Sequence, residues 1–201
     1  MTTPTRRPAH RPSRRGAIVS TALELIAESQ ADAVTIADIA AAAKMTPAAV
    51  YYHYPSRDAI LLEGFQEVSA SYRAAIDVGV ERVKAGGTVA GIAGEIMTWA
   101  KSSPGARAYV LSASGLSSSV EAVLRADRIH AVEQFRVAVK AARPGVKAAE
   151  ASVLAVALLS LTEAAVASML TLDRARKGLS ETRFRQEVEA LAEGIVTPPA
   201  T

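Results

Sequence analysis

Hydrogen-bonding and cationic side chains are concentrated between residues 35 and 57 of the 201-residue chain. Tyr51, Tyr52, His53 and Tyr54 follow one another without interruption, and a lysine and an arginine lie on either side of them. Tyrosine hydroxyls and imidazole can hydrogen-bond phosphate oxygens, and cationic side chains neutralise phosphate charge. The chemistry that this stretch suits is the binding of a nucleic acid.

Two closely spaced helix starts are predicted to position these side chains. Thr35 with Asp38 three residues later approximates a capping box, and Thr46 followed by Pro47 supplies an N-cap with proline at the first helical position. Residues 44–45 then form the turn between two short helices. The stretch therefore predicts a helix-turn-helix whose second helix lies against DNA.

The second of these helices has two different faces. At about 100° per residue, Val50 and Tyr54 project toward the preceding helix. The outward side chains are Ala48, Ala49, Tyr52 and His53. Alanine allows close approach to base edges and can contact a thymine methyl group, so this outward face suits the major groove. Alternatively, the tyrosines are core aromatics of a small bundle, which we expect for Tyr54, partly for Tyr51 and not for Tyr52.

The net charge of +3 is distributed unevenly along the chain. The remainder after residue 20 carries 18 basic and 20 acidic residues, whereas the first 20 residues contain no acid. The arginines in those first 20 residues are Arg6, Arg7, Arg11, Arg14 and Arg15. Prolines at 4, 8 and 12 interleave with them and disfavour a helix. Residues 1–13 are therefore predicted to be a basic, flexible arm that either contacts DNA or only increases solubility.

Composition excludes several kinds of site. The chain has no cysteine, so disulfides, thiolate metal sites and cysteine nucleophiles are excluded, in keeping with a reducing cytoplasm. Its three histidines, His10, His53 and His130, are too dispersed for a metal-binding motif, and no glycine-rich phosphate loop occurs. We therefore predict no metal, no cofactor and no enzymatic activity. An all-α enzyme that uses an internal cavity is the alternative.

Helical spacing of apolar residues and intervening turn residues predict an all-α fold with about nine helices. Their expected ranges are about 14–28, 35–43, 47–53, 57–84, 88–102, 105–114, 119–142, 147–173 and 181–195. Residues 151–172 carry one charge, Glu163, and are long enough to cross a bilayer. Alanine and serine dominate this run, so we favour a buried helix over a membrane span. Acidic residues at 24 and 28 are unlike a secretory signal, and we expect a cytoplasmic protein.

Residues 14–62 resemble the DNA-binding domain of the TetR family of bacterial transcriptional regulators. The resemblance lies in Thr35-x-x-x-Ile39-Ala40, Ala43-x-Met45-Thr46-x-x-x-Val50-Tyr51-x-His53-Tyr54 and Ser56-Arg57-Asp58-x-Ile60-Leu61. It implies a three-helix DNA-binding domain at 14–60, after the arm at 1–13, and a larger helical ligand-binding and dimerisation domain at 61–197. The implied function is that of a homodimeric repressor that binds a palindromic operator in double-stranded DNA and responds to a small, hydrophobic molecule.

The resemblance also implies roles for single residues. The implied DNA contacts are Thr35, Lys44, Thr46, Pro47, Ala48, Ala49, Tyr51, Tyr52, His53 and Arg57. Of these, Ala48, Ala49 and Tyr52 would face the major groove, and the hydroxyl, imidazole and cationic side chains would lie near phosphates. Lys44 replaces the glycine usual in the turn, so the turn either differs from the family's or strains the lysine while adding a phosphate contact. Arg57 replaces a lysine, and an alanine at 31 or 33 replaces a glycine, which leaves that loop's shape open.

In this family the later helices enclose a small-molecule pocket, and the last two form the dimer interface. The implied ligand contacts are Met97, Trp99, Tyr109, Phe135 and Glu163. Ordinary core packing is the alternative for the four hydrophobic side chains. Glu163 is the single charge in its apolar run, so it should contact a ligand or pair with a neighbouring arginine or histidine.

Overall fold

The computed structural model describes residues 13–29, 31–112, 115–171 and 180–197, and all regular secondary structure within them is helical. The helices are α1 Arg14–Glu28, α2 Ile36–Ala42, α3 Pro47–His53, α4 Arg57–Lys84, α5 Ala90–Ser102, α6 Ala106–Leu111, α7 Ser118–Ala142, α8 Ala148–Thr171 and α9 Glu181–Val196, with a 3-10 turn at Ala31–Ala33. The prediction of an all-α fold with about nine helices is confirmed. One helix is shorter than predicted, because α6 ends at residue 111 and Ser112 is already extended.

The first three helices and the start of α4 form a small head, whose buried residues are continuous with the core of the rest of the protein. Helix α1 packs against α2 and α4, and α2 packs against α3. Ile18, Ile39 and Val50 are completely buried, and Tyr54 is 1% exposed. The prediction that Val50 and Tyr54 face inward is therefore confirmed.

The helix starts in the head are capped as the sequence predicts. Thr35 and Asp38 form a capping box, in which the Thr35 hydroxyl accepts a hydrogen bond from the Asp38 N–H and the Asp38 carboxylate accepts one from the Thr35 N–H. The Thr46 hydroxyl accepts a hydrogen bond from the Ala49 N–H, and Pro47 occupies the first helical position. These caps fix the directions in which α2 and α3 leave the turn.

Helix α4 is continuous for 28 residues and belongs to both the head and the body. Its buried side packs against α1 in the head and against α5 and α7 in the body. At Gly79 a side chain would lie 2.9 Å from the Ile92 Cα, so glycine is what allows α4 and α5 to approach each other closely. The boundary that we predicted at residue 60 falls within this helix.

Helices α5 to α9 form the body, and α8 and α9 lie on one side of it. Helix α8 packs against α5, α7 and α9, and Leu158, Leu159 and Val166 on its inner face are buried. By length and composition alone, α8 could cross a membrane. One face of α8 is buried as predicted, but the opposite face, which includes Val153 and Val156, is exposed.

Candidate DNA-binding surface and ligand cavity

Helix α3 presents an apolar and aromatic surface to solvent. Tyr52 is 87% exposed and Tyr51 is 56% exposed, although both carry large rings. Ala48 is also exposed, and Ala49 is partly exposed. We call Ala48, Ala49 and Tyr52 the recognition face. An exposed aromatic next to two alanines is unusual for a solvated helix, and it matches a surface that closes on a partner.

His53 and Thr46 lie at the two ends of α3, beside the recognition face. The His53 ring meets the Tyr52 ring edge to face, with centroids 5.2 Å apart. The Thr46 hydroxyl accepts the capping hydrogen bond, which leaves its own O–H free to donate to a phosphate oxygen. Thr46, Pro47 and Tyr51 are all exposed around this end and flank of the helix.

A network based on Arg15 holds the C-terminal end of α3 in place. The Arg15 Nε donates to both carboxylate oxygens of Glu63 at 3.0 and 3.1 Å, and its Nη1 donates to the His53 carbonyl at 3.1 Å. The Arg15 guanidinium also lies 4.2 Å from the centroid of the Tyr54 ring. The Tyr54 hydroxyl donates to Glu63 at 2.8 Å. The helices α1, α3 and α4 are thereby fixed to one another directly behind the recognition face.

The charges in this network stabilise one another. The hydrogen bond from Arg15 is the main cause that lowers the pKa of the Glu63 carboxyl below its usual range. Burial, followed by the hydrogen bond to Glu63, raises the pKa of the Tyr54 phenol, which therefore stays neutral and donates. Sequence reasoning missed this role, because it counted Arg15 with the basic N-terminal residues and assigned nothing to Glu63. The one available signal was that a buried Tyr54 hydroxyl requires a partner.

Thr35 lies exposed at the start of α2, but its donors are already used. Both its N–H, at 2.9 Å, and its hydroxyl, at 2.6 Å, donate to the same oxygen of Asp38. These hydrogen bonds, the one from the side chain first, lower the pKa of the Asp38 carboxyl. A phosphate requires a free donor, so the geometry of Thr35 is that of a helix cap.

Lys44 adopts the left-handed conformation that the family's glycine would favour. Its φ is 56°, the only positive φ of a non-glycine residue in the part of the chain that the structure describes. The Lys44 N–H bonds to the Ala41 carbonyl and the Met45 N–H bonds to the Ala40 carbonyl, which is the Schellman arrangement at the end of α2. The turn therefore keeps the shape that a glycine would give it, and the lysine side chain is exposed beside the start of α3.

Arg57 contacts the body of the protein. Its Nη2 donates to the Gly115 carbonyl at 2.9 Å, and its Nε is buried without a hydrogen-bond partner among the described residues. Gly115 has a φ of 76°, and a side chain there would lie 2.5 Å from the Asp32 nitrogen. Residues 112 and 115–117, which we call the α6–α7 loop, thus contact the head at both Asp32 and Arg57. The predicted arm at 1–13 lies outside the described residues except for Ser13, which caps α1.

Arg107 forms a second connection between the head and the body. Its Nε donates to the Ala27 carbonyl at 3.4 Å and its Nη1 donates to the Leu170 carbonyl at 2.5 Å. Both carbonyls lie in the last turns of their helices, α1 and α8, where the helix dipole is negative and backbone acceptors are free. The guanidinium therefore stabilises both helix ends. It lies at the edge of an open cleft of about 690 Å³ between α1, α4 and the turn after α5.

The body contains a separate cavity of about 690 Å³ between α4, α5, α6, α7 and α8. Trp99, Tyr109 and Glu163, three of the five predicted ligand contacts, line it. The other two do not, because Met97 and Phe135 are packed in the core at 3% and 1% exposure. Both side chains are packed as the alternative of core packing expects, and their ligand role stays a prediction.

Three aromatic side chains form one wall of this cavity. The ring centroids of Tyr72 and Trp99 are 5.0 Å apart, those of Tyr72 and Tyr109 are 5.4 Å apart, and those of Trp99 and Tyr109 are 5.8 Å apart. We call these three residues the aromatic wall. Burial raises the pKa of both phenols, so the wall is uncharged.

Asp127 is a buried charge behind the aromatic wall, and it is fully partnered. It is 1% exposed and accepts hydrogen bonds from the Ser69 hydroxyl at 2.8 Å, the Arg73 Nε at 2.5 Å and the Tyr109 hydroxyl at 2.5 Å. Sequence reasoning did not single out this residue. The available signal was its position on the apolar stripe of α7, three residues after Leu124 and four before Ala131.

Glu163 forms an ion pair at the cavity. The Arg128 Nη1 donates to both Glu163 oxygens at 2.7 Å. Of the two alternatives for this carboxylate, a neighbouring arginine is thus its observed partner. Arg125, one turn before Arg128 on α7, also lines the cavity, and no ion-pair or hydrogen-bond partner accompanies it among the described residues.

Comparison with known proteins agrees with these features. Residues 18–63 match the family model for bacterial regulatory proteins of the tetR family. No curated protein matches the chain significantly. Among solved structures, the chain is similar to the MbdR regulator from Azoarcus sp. CIB, with a TM-score of 0.72 and 15% identity over 90% of this chain and 97% of that one.

Two further solved structures share the fold over nearly their whole length. A TetR transcriptional regulator from Legionella pneumophila gives a TM-score of 0.71 at 17% identity, over 94% of this chain and 100% of that one. The TetR family regulator PfmR from Thermus thermophilus gives a TM-score of 0.67 at 18% identity, over 92% of this chain and 99% of that one. The family model covers the head, and the fold of these structures extends to the body. Residues 18–63, which make up most of the head, are thus similar to the bacterial regulatory proteins of the tetR family.

Proposed function

We propose that the protein is a homodimeric, cytoplasmic repressor that binds a palindromic operator and is controlled by a small molecule. The observation that carries the DNA-binding part is the recognition face, which is exposed on one side of α3 and held from behind by Arg15 and Glu63. The domains follow the same division, with the head at 14–60 and the body at 61–197.

Within the head, the proposed DNA contacts divide into two groups. The recognition face meets base edges, because two alanines let α3 enter the groove and Tyr52 projects beyond them. Lys44, Thr46, Tyr51 and His53 contact phosphates and set affinity without reading sequence, and Pro47 starts the helix between the groups. Thr35 acts as a cap. Arg57 holds the α6–α7 loop through its Nη2 and stays a proposed phosphate contact through its other N–H groups.

The proposed dimer forms through the outer faces of α8 and α9. Val153, Val156 and Leu191 are 69%, 47% and 59% exposed, which leaves large apolar side chains uncovered in the isolated chain. Ala157, Ser160 and Ala164 continue the exposed face of α8 with small side chains, which permit close helix packing. A two-fold axis through this face would pair α8 and α9 with their copies, and each protomer would contact one half-site.

The cavity in the body is the proposed site of the small molecule. It touches α4, which begins in the head, and Ser112 at the start of the α6–α7 loop, which contacts the head at Gly115. A ligand that binds more tightly to one of two conformations of the cavity could therefore move the head by two routes. One route is α4 and the other is the α6–α7 loop. We propose that the ligand releases the protein from DNA.

A mobility shift on the promoter region of the protein's own or a neighbouring gene tests DNA binding. His53→Ala should weaken specific and nonspecific binding alike, because it removes a phosphate contact. Ala49→Val should chiefly change which operator is preferred, by about 1–3 kcal/mol of discrimination. The absence of any retarded fragment at low salt would refute the proposed function, and the reverse pattern in competition assays would refute the assigned orientation of α3.

The dimer is tested separately by sedimentation velocity. Val153→Glu should convert the dimer to a monomer, since it places a charge in the proposed apolar interface. Ile129→Glu is the matched control, because Ile129 is 67% exposed on α7 and lies outside the proposed interface. A monomeric wild-type protein, or equal dissociation by both variants, would exclude this interface.

A further inference from the structure

We propose that the cavity binds an aromatic carboxylate, with its ring against the aromatic wall and its carboxylate on Arg125. The inference rests on the proposed function only in taking this cavity as the ligand site. Its test requires no DNA, so the two proposals can fail independently.

The aromatic wall selects the body of the ligand. The chain has only nine aromatic residues, counted as one tryptophan, five tyrosines and three phenylalanines, and three of them line this one cavity. Their rings lie within 5.8 Å of one another, so they present a continuous aromatic surface. Aromatic ligands gain stacking and edge-to-face contacts on such a surface beyond the burial that any apolar ligand obtains.

The charges at the cavity select the other end of the ligand. Each carboxylate in the lining already has a cationic partner, since Arg73 pairs with Asp127 and Arg128 pairs with Glu163. Arg125 lines the same cavity without such a partner among the described residues. The uncompensated charge of the site is therefore positive, and it favours an anion.

The position of Arg125 allows an anion to bind without breaking an existing pair. Arg125 and Arg128 are three residues apart on α7, so they are neighbours on one face of the helix. A guanidinium matches a carboxylate with two parallel hydrogen bonds. A cationic ligand, in contrast, would have to displace Arg128 from Glu163 or Arg73 from the buried Asp127.

The volume of about 690 Å³ falls within the range of small-molecule sites that enclose most of their ligand. It holds an aromatic acid of one or two rings together with a short chain. The carboxylate then reaches Arg125, which is exposed at the rim, while the rings remain inside against Trp99.

The single tryptophan of the chain makes this proposal directly measurable. Trp99 is the only tryptophan and belongs to the aromatic wall, so intrinsic tryptophan fluorescence reports on this cavity. The probes are 4-phenylbutanoate, its neutral amide 4-phenylbutanamide, the cation 4-phenylbutylamine and the aliphatic anion decanoate. Each is titrated into the full chain and into its Arg125→Gln, Arg125→Lys and Lys140→Gln variants.

We expect 4-phenylbutanoate to change the fluorescence saturably and to bind about tenfold more tightly than its amide. Arg125→Gln should abolish this preference, and Arg125→Lys should restore part of it. Lys140→Gln removes one charge from the same helix about 22 Å further along its axis, so it should retain the preference. Circular dichroism of each variant checks that the helices are intact.

Several results would overturn the proposal. Equal affinity for acid and amide, or a preference that survives Arg125→Gln, would exclude Arg125 as the anion contact. Tighter binding of the amine would assign the site to cations, and tighter binding of decanoate would assign it to aliphatic chains. A protein that retards its operator but gives no Trp99 response to any probe would contradict this inference and leave the repressor function standing. An acid-specific response in a protein that binds no operator would support this inference and refute the repressor function.

Discussion

Lys44 holds a backbone conformation that costs a lysine free energy. Its φ of 56° completes the Schellman turn between α2 and α3, and a left-handed residue other than glycine costs about 1–2 kcal/mol. The exposed ammonium lies beside the start of α3. The strain is understandable if the lysine supplies a phosphate contact that a glycine cannot supply.

Two substitutions of Lys44 separate strain from charge. Lys44→Gly should raise the free energy of unfolding by about 1 kcal/mol, and so the melting temperature by about 2–4 °C, whereas Lys44→Ala should not. Both should weaken DNA binding and lower the slope of log affinity against log salt by about 0.9, because both remove one cation. Thermal melts and salt titrations measure the two effects. Unchanged slopes in both variants would remove Lys44 from the phosphate contacts.

The Arg15–Glu63 pair gives the head a defined dependence on pH. The lowered pKa of Glu63 means that its stabilisation is present above its unfolded value of about 4.3 and is lost as the pH falls through the lower folded value. The Asp38 carboxylate also stabilises the protein more at higher pH, because its pKa is lowered as well. The head should therefore lose stability below about pH 4, and retain it at neutral pH.

Glu63→Gln tests this pH dependence. It should destabilise the protein by about 1–2 kcal/mol at neutral pH, because it weakens the hydrogen bonds to Arg15 and Tyr54. The difference from the wild type should shrink as the pH falls through the lowered pKa of Glu63, where the wild-type carboxyl becomes protonated. Glu67→Gln, one turn later on α4 and exposed, is the control. A destabilisation that is independent of pH would show that charge is not its cause.

Single residues in the head were predictable where local rules apply. The capping box, the proline at the start of α3 and the buried Val50 and Tyr54 all follow from spacings of a few residues. Arg15 and Glu63 are 48 residues apart, and no periodicity connects them. Arg57 was assigned to phosphate from the family's pattern, whereas its partner, Gly115, is 58 residues away.

At the scale of elements, the α6–α7 loop is where buried polar groups remain unsatisfied. The described residues include four buried side-chain polar atoms without a hydrogen bond, and three of them, Arg57 Nε, Ser112 Oγ and Ser117 Oγ, lie in this loop or against it. Each such atom costs about 1–3 kcal/mol of desolvation. The contact between the loop and the head is therefore weakly stabilised.

Gly115→Ala should separate the loop from the head. The added carbon would lie 2.5 Å from the Asp32 nitrogen, and the φ of 76° is unfavourable for alanine, so we expect a loss of about 2 kcal/mol or more of unfolding free energy. Gly145→Ala is the matched control, because its new carbon meets nothing within 4 Å. Denaturant titrations of both variants measure the difference. Equal stability of the two would mean that the loop does not rest on the head.

Helix ranges were predictable because caps, prolines and glycines mark them along the chain, and the predicted bounds agree with α1, α4, α7 and α9 to within one or two residues. Packing partners were not predictable in the same way. An apolar stripe identifies the inner face of a helix, but not which helix covers it. Trp99 therefore proved to be in the cavity wall and Phe135 in the core, although both are large buried side chains of the body.

At the scale of the whole molecule, the uneven charge makes a prediction about the arm. Deleting residues 1–12 removes Arg6, Arg7 and Arg11 but keeps Ser13, whose hydroxyl caps α1. If the three arginines contact phosphates, the salt slope of operator affinity should fall by up to about 2.7 per protomer. Replacing the same arginines with glutamine at full length is the control for chain length. An unchanged slope in both proteins would leave the arm a role in solubility only.

The continuity of α4 has a geometric consequence for two linked heads. Its 28 residues span about 42 Å, so a tilt of about 5° about its Lys84 end would carry the Arg57 end through about 4 Å. In a symmetric dimer both heads would swing, and the distance between the two recognition faces would change by up to about twice that amount against a fixed DNA repeat of about 34 Å. In the proposed dimer, a ligand would therefore need to supply only a small angular change, because leverage along the helix would convert it into a mismatch with the operator.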